Sequence, residues 1–118
     1  MTPDETAQRC ADLMWADDRA SQALDMHIVE VGPGRATLRM TVRTDMVNGH
    51  DIGHGGLTFT LADSAFAFAC NSYDVRTVAY GCAITYLAPA RAVTVVLGDA
   101  GRVESSLAAL SSVERVGG

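Results

Sequence analysis

One acid and a pair of glycines carry most of the reactive chemistry this sequence offers. Asp63 stands in the run Leu61-Ala62-Asp63-Ser64-Ala65-Phe66, and an ionised carboxylate among apolar neighbours is costly unless it is paired, hydrogen-bonded or open to a cleft. Such an acid suits work as a base or a nucleophile, though an outward-pointing aspartate or one bonded to nearby backbone would read the same way. Upstream, Gly55 and Gly56 open the same apolar segment. At a helix entrance the unpaired N–H groups and the positive end of the dipole favour a negative oxygen, and the missing side chains let a ligand come close. A carbonyl developing oxyanion character would fit there. Taken alone, paired glycines serve ordinary turns, and His50 and His54 are ordinary loop histidines. The combination is what points to a site.

The spacing adds a constraint. Gly55 and Asp63 lie eight positions apart, which at a rise of about 1.5 Å per residue separates them by roughly 12 Å along one helix. A single carbonyl cannot touch both. If both serve one reaction, the glycine N–H comes from one subunit and the carboxylate from the antiparallel helix of a second, so the sequence predicts an obligate homodimer with two equivalent sites on a two-fold interface.

The elements that must position these residues are partly legible. Thr2-Pro3-Asp4-Glu5 combines a capping hydroxyl, an early proline and an acid placed to close a capping box, so a helix begins here, with Ala7, Cys10, Ala11 and Met14 on one apolar face. Asp17 and Asp18 break it and cap a second short helix over Ala20 to Leu24, which makes residues 1–25 a helical lead-in. Met26 to Val31 and a second run with Ala36, Leu38, Met40 and Val42 alternating against Arg35, Thr37, Arg39 and Thr41 flank Gly32-Pro33-Gly34, a hairpin with one wet face. Arg43 to Gly56 is too rich in glycine and polar groups for a regular element. Leu57 to Ser72 is apolar nearly all round and long enough to favour a helix that must be wrapped rather than merely docked. Thr77 to Leu87 returns to period two and stops at Pro89, and Val93 to Leu97 reads as another strand. Val103, Leu107, Leu110 and Val113 recur at helical spacing in a tail whose serines and glycines weaken any assignment.

Composition bounds the function. A chain of 118 residues, 48% hydrophobic and 19% charged, is read as a single globular domain over residues 1–118. The net charge of −5 with no basic run argues against nucleic acid as a partner. Cys10, Cys70 and Cys82 are odd in number and widely spaced, which suits reduced thiols rather than a zinc or redox centre. The opening residues lack the pattern of a secretory leader and no apolar run is long enough to span a bilayer, so the expected location is cytoplasmic and off the membrane.

Asn48-Gly49, His54-Gly55-Gly56, Leu61-Ala62-Asp63-Ser64-Ala65-Phe66-Ala67, Asn71-Ser72 and Tyr86-Leu87-Ala88-Pro89-Ala90, with the Val31-Gly32-Pro33-Gly34-Arg35-Ala36 hairpin, together resemble the hot-dog-fold thioesterases of the phenylacetate-degradation (PaaI) type. The resemblance runs from about Asp12 to Arg91. It implies an α+β hot-dog fold, an antiparallel sheet wrapped around a central helix, with two subunits joining their sheets and a homotetramer built as a dimer of dimers. It further implies hydrolysis of an acyl-CoA substrate, with an aryl-acetyl group such as phenylacetyl or hydroxyphenylacetyl, and no metal or organic cofactor. Asp63 would then be the nucleophile or the general base that activates water, the Gly55 N–H would polarise the thioester carbonyl, and Asn48 and His54 would position thioester or water. Gly56, Ser64 and Asn71 would be binding residues; apart from the resemblance, Arg76 or Arg91, near the ends of the helix and strand in a chain with few basic residues, are the candidate contacts to the CoA phosphates. The chain departs from the family pattern over residues 92–118, where Ala92-Val93-Thr94 replaces a Gly-Asp turn. An incomplete C-terminal sheet is therefore expected. A non-catalytic acyl-CoA-binding module and a hot-dog hydratase or dehydratase are the rival readings. The first would call for an absent acid or a DNA-binding appendage, and the second usually shows a His-Phe-Pro-Gly type loop and a helical glutamate.

Overall fold

A computed structural model of the protein describes residues 1–78, 87–92, 95–100 and 110–116. The first helix, α1 (Pro3–Asp17), opens with the capping box its residues spell out. Thr2 Oγ1 accepts the Glu5 N–H at 3.1 Å and the Glu5 carboxylate accepts the Thr2 N–H at 3.2 Å. Asp18 then caps the short helix α2 (Arg19–Ala23) by accepting the Ser21 N–H at 3.0 Å. The hairpin follows as β1 (His27–Gly32) and β2 (Arg35–Thr41), antiparallel from His27↔Arg39 to Gly32↔Arg35. Gly34 turns it at φ 69, a left-handed backbone that glycine adopts without strain, and donates its N–H to Ser72 Oγ at 2.7 Å. Ala36, Leu38, Met40 and Val42 are buried while Arg35, Arg39 and Thr41 are exposed, the alternation of a strand with one face on the core.

A 3-10 turn at Thr44–Met46 and a loop closed by the Val47↔Gly53 bridge lead to the long helix α3 (Gly55–Cys70). It starts two residues before the Leu57 expected from the apolar pattern, because His54 caps it and so brings both glycines into the first turn. Two strands follow, β3 (Val95–Ala100) and β4 (Leu110–Val116), in an antiparallel sheet of order β1-β2-β3-β4 among the described residues. Of the strand expected over Val93 to Leu97, Val95 to Leu97 lie in β3, which runs on to Ala100 with Val95 opposite Thr41 and Ala100 opposite Ala36, while Val93 and Thr94 lie outside the described residues. Leu110 and Val113, counted in a helical spacing, belong to a strand; Val103 and Leu107 lie outside the described residues. So does most of the strand expected from Thr77 to Leu87, including Tyr80, Cys82 and Tyr86.

The helix packs across β2 and β3. Leu61, Ala62, Ala65, Phe68 and Ala69 form its buried face, meeting Leu38 and Met40 from the sheet. Each large apolar side chain so buried contributes about 1.5–3 kcal/mol relative to exposure. Gly98 on β3 permits the close approach, since a Cβ there would stand 2.9 Å from Leu61 Cγ and 3.0 Å from its carbonyl oxygen. Trp15 of α1 meets Phe68 with ring centroids 6.2 Å apart, which docks the first helix beside the third. Among the described residues no helix is long and apolar enough to cross a membrane.

Candidate active site

Two clusters at different points along α3 hold the residues singled out in the sequence. At the N-terminal end the groups are held by backbone. Asn48 Oδ1 accepts the His50 N–H at 2.9 Å and the Ile52 N–H at 3.4 Å, the Asn48 N–H donates to Ile52 O at 2.8 Å, and the His54 N–H donates to Met46 O at 2.8 Å. These bonds fix which way the Asn48 amide faces, with its oxygen turned into the loop and its NH2 turned away. His54 Nδ1 accepts the Gly56 N–H at 3.0 Å, so that nitrogen is unprotonated and a neutral ring carries its proton on Nε2. Gly55 is half-buried and Gly56 exposed at the positive end of the helix.

Two turns further on, Asp63 sits opposite the buried face. It is exposed, although Leu61, Ala62 and Ala65 beside it in sequence are fully buried. The helical period separates them, since successive residues are rotated by about 100° and a helix apolar by composition still presents distinct faces. The expected acid stranded in a buried helix is therefore corrected to an acid on the open stripe of a half-covered one. Asp63 makes no hydrogen bond or ion pair with any described residue, and its stripe continues through the half-buried Phe66 and Ala67 to the buried Cys70. Cys10, Leu13 and Met14 of α1 face that stripe across a groove of about 890 Å³, which residues 74–78 also line.

Asn71 anchors that segment. Its Nδ2 donates to Ala67 O and Thr77 O, each at 2.9 Å, and its Oδ1 accepts the Thr77 N–H at 2.8 Å, which clamps residues 71–77 into a closed turn. Burial pushes the Cys70 thiol up from its ordinary 9.0, outweighing its own helix-end backbone and Asn71 hydrogen bonds, and the negative charge of Asp63 adds to the rise. The thiol stays protonated near neutrality. Ser64 lies off the groove: its hydroxyl stands 2.8 Å from Ser21 Oγ, which donates to Asp18 Oδ2 at 2.7 Å, so Ser64 ties α3 to α2. Among the described residues no cluster of histidine, cysteine and acidic side chains is placed to hold a metal ion.

No family model matches the chain. Its structure is similar to that of the Escherichia coli PaaI protein from the phenylacetic acid degradation operon, with a TM-score of 0.83 and 38% identity over 85% of this chain and 72% of that one. The chain belongs to the PaaI-type hot-dog thioesterase family. A variant of the phenylacetic acid degradation protein PaaI from Thermus thermophilus is also similar, with a TM-score of 0.72 and 34% identity over 84% of this chain and 86% of that one. In sequence, the acyl-coenzyme A thioesterase PaaI of E. coli is 44% identical over 79 residues, 67% of this chain and 56% of that protein. The chain spans little more than half the length of the curated relatives it matches. Mouse thioesterase superfamily member 2, at 24% identity and a TM-score of 0.67 over 88% of this chain and 76% of that one, shares the fold.

In hot-dog language α3 is the central helix and β1 to β4 belong to the sheet around it. Within one chain the fold brings Asn48, His54, Gly55 and Gly56 together at the helix entrance, and sets Asp63 and Asn71 along one groove further down the helix, apart from that first group. Arg76 lines the groove and Arg91 is exposed away from it. Sequence reasoning missed the α1 wall. Cys10 and Met14 were legible as part of an apolar face, but Leu13, which is 58% exposed at the groove, belongs to no buried periodicity.

Proposed function

We propose that this chain hydrolyses acyl-CoA thioesters, favouring an aryl-acetyl group, as a homodimer in which Asp63 of one subunit works with the helix entrance of the other. The observation that carries the proposal is Asp63 itself, an exposed carboxylate with no described partner at the edge of an apolar groove. An acid so placed is available to a ligand rather than engaged in holding the fold. Phe59 is only half-buried in the isolated chain, so α3 keeps apolar surface for a second subunit to cover, in keeping with a helix that must be wrapped.

In the general-base form, Asp63 takes a proton from water as the water oxygen bonds to the thioester carbonyl carbon. The resulting oxyanion is stabilised by the Gly55 N–H and the dipole of the partner's helix. Collapse breaks the C–S bond and the thiolate leaves, recovering a proton to give CoA and the free acid. In the nucleophilic form, an Asp63 oxygen attacks the carbonyl carbon, CoA leaves, and water then hydrolyses the mixed anhydride. Single turnover in heavy-oxygen water separates the two, because only the nucleophilic form can leave label in Asp63. Asn48 and His54 belong to the carbonyl end, where the Asn48 NH2 and His54 Nε2 face away from their own loop bonds.

The test is release of free thiol from phenylacetyl-CoA. The wild-type chain releases CoA; Asp63→Asn loses roughly 10²-fold or more in kcat, as expected for a lost base, while binding of the thioester changes little. Near-wild-type turnover in Asp63→Asn sinks the proposal, and formation of a hydrated or dehydrated acyl-CoA without free thiol assigns the chain to the rival chemistry.

A further inference from the structure

We infer that the first helix forms the acyl-specificity wall of the site: Leu13 and Met14 of α1 face Phe66 and Ala67 of α3, and the uncharged apolar acyl group of the thioester lies between them. The inference rests on the proposed thioester hydrolysis and deepens it. Leu13 and Met14 with Cys10 recur at helical spacing on α1, and Phe66, Ala67 and Cys70 do the same on α3 below Asp63, so two stripes of side chains face each other across the groove. The volume of about 890 Å³ lies within the roughly 300–1,000 Å³ of small-molecule pockets. Val75 and Val78, 54% and 81% exposed, extend the apolar lining beside the Asn71-clamped turn.

The carboxylates set the charge of the occupant. Asp63 and Asp74 both line the groove, with Arg76 as its one cation among the described residues. An acyl group ending in its own carboxylate would meet two like charges, whereas a neutral aryl or alkyl group meets Leu13, Met14 and Phe66 and leaves the carboxylate of Asp63 beside the carbonyl. The docking of α1 through Ala7 and Ala11, both buried and small, and through Trp15 against Phe68, leaves Leu13 exposed at the groove.

Two measurements test the inference. Leu13→Trp, which fills the groove from its exposed side, is expected to lower kcat/KM for phenylacetyl-CoA at least about tenfold relative to acetyl-CoA; an equal fall for both, or none, overturns it. Should that variant not fold, Cys10 serves as a reporter in Asp63→Asn protein, in which the thioester persists. Phenylacetyl-CoA is expected to slow iodoacetamide labelling of Cys10, read by peptide mass spectrometry, while desulfo-CoA does not. Equal protection by desulfo-CoA, or no protection by either, overturns the inference. The two levels separate cleanly: free-thiol release with unchanged selectivity and an unprotected Cys10 rejects the wall and keeps the hydrolase. Acyl-dependent protection without thiol release from wild-type protein rejects the hydrolase and keeps the acyl site.

Discussion

The two ends of α3 use their residues in opposite ways. At the N-terminal end the side chains are spent on the chain itself: Asn48 Oδ1 holds two backbone N–H groups and His54 Nδ1 holds the Gly56 N–H. What is left to act there is backbone and dipole, with the Asn48 NH2 and His54 Nε2. Toward the other end, Asp63 keeps its carboxylate for the groove while Asn71 does the holding, through Ala67 and Thr77. One end is a fixed arrangement of partial positive charge, the other a single negative charge against apolar walls. Oxyanion stabilisation needs the first and water or carbonyl attack needs the second. A rigid helix keeps them roughly 12 Å apart within a chain, and a two-fold partner is the simplest way to bring unlike ends together.

The comparison can be broken most sharply at Gly55. Proline is tolerated at the first helical position, and the preceding His54 already has the extended backbone, φ −62 and ψ 125, that proline demands of its neighbour. Gly55→Pro therefore removes the N–H at a position whose backbone admits proline. Loss of roughly 10²–10³ in kcat is expected, as for one oxyanion donor, with an unchanged circular dichroism spectrum; full activity would show that the N–H plays no part.

A second variant asks whether the helix must sit where it does. Gly98→Ala places a Cβ 2.9 Å from Leu61 Cγ, so α3 must shift or the strand must bend, at a cost of about 1–3 kcal/mol in urea unfolding. An unchanged unfolding midpoint would mean that the approach of α3 to β3 is looser than described. The smallest effect belongs to Ser21→Ala. It breaks the Asp18–Ser21–Ser64 chain away from both ends, and is expected to cost about 1 kcal/mol of stability with kcat unchanged.

Much of this was legible in the residues. Thr2, Pro3 and Glu5 spell a capping box whose physics is local, and the alternation from Ala36 to Val42 needs only a core on one side. The hot-dog family showed in the run from Asn48 to Asn71 because a glycine pair, an apolar helix and a single acid occur there together. The exposure of Asp63 did not show, since sequence neighbours on a helix point in different directions and an all-apolar helix has no marked face to reveal which way the acid turns. The N-cap role of His54 was hidden for a related reason: histidine is not among the usual capping residues, and only the loop geometry brings Nδ1 to the Gly56 N–H. Ser64, adjacent to the acid in sequence, faces α2 because one residue on a helix is a turn of about 100°. Leu13 was missed because a site wall needs no buried period.

Subunit mixing tests the central claim most directly. Asp63→Asn and Gly55→Pro chains, each inactive as homodimers, are co-expressed with different tags and the hybrid dimers are allowed to form. If the carboxylate of one chain serves the helix entrance of the other, each hybrid dimer holds one intact site of two, and an equal statistical mixture recovers about a quarter of wild-type thiol release from phenylacetyl-CoA. Activity that stays at the level of the two parents would contradict a site shared across the two-fold axis.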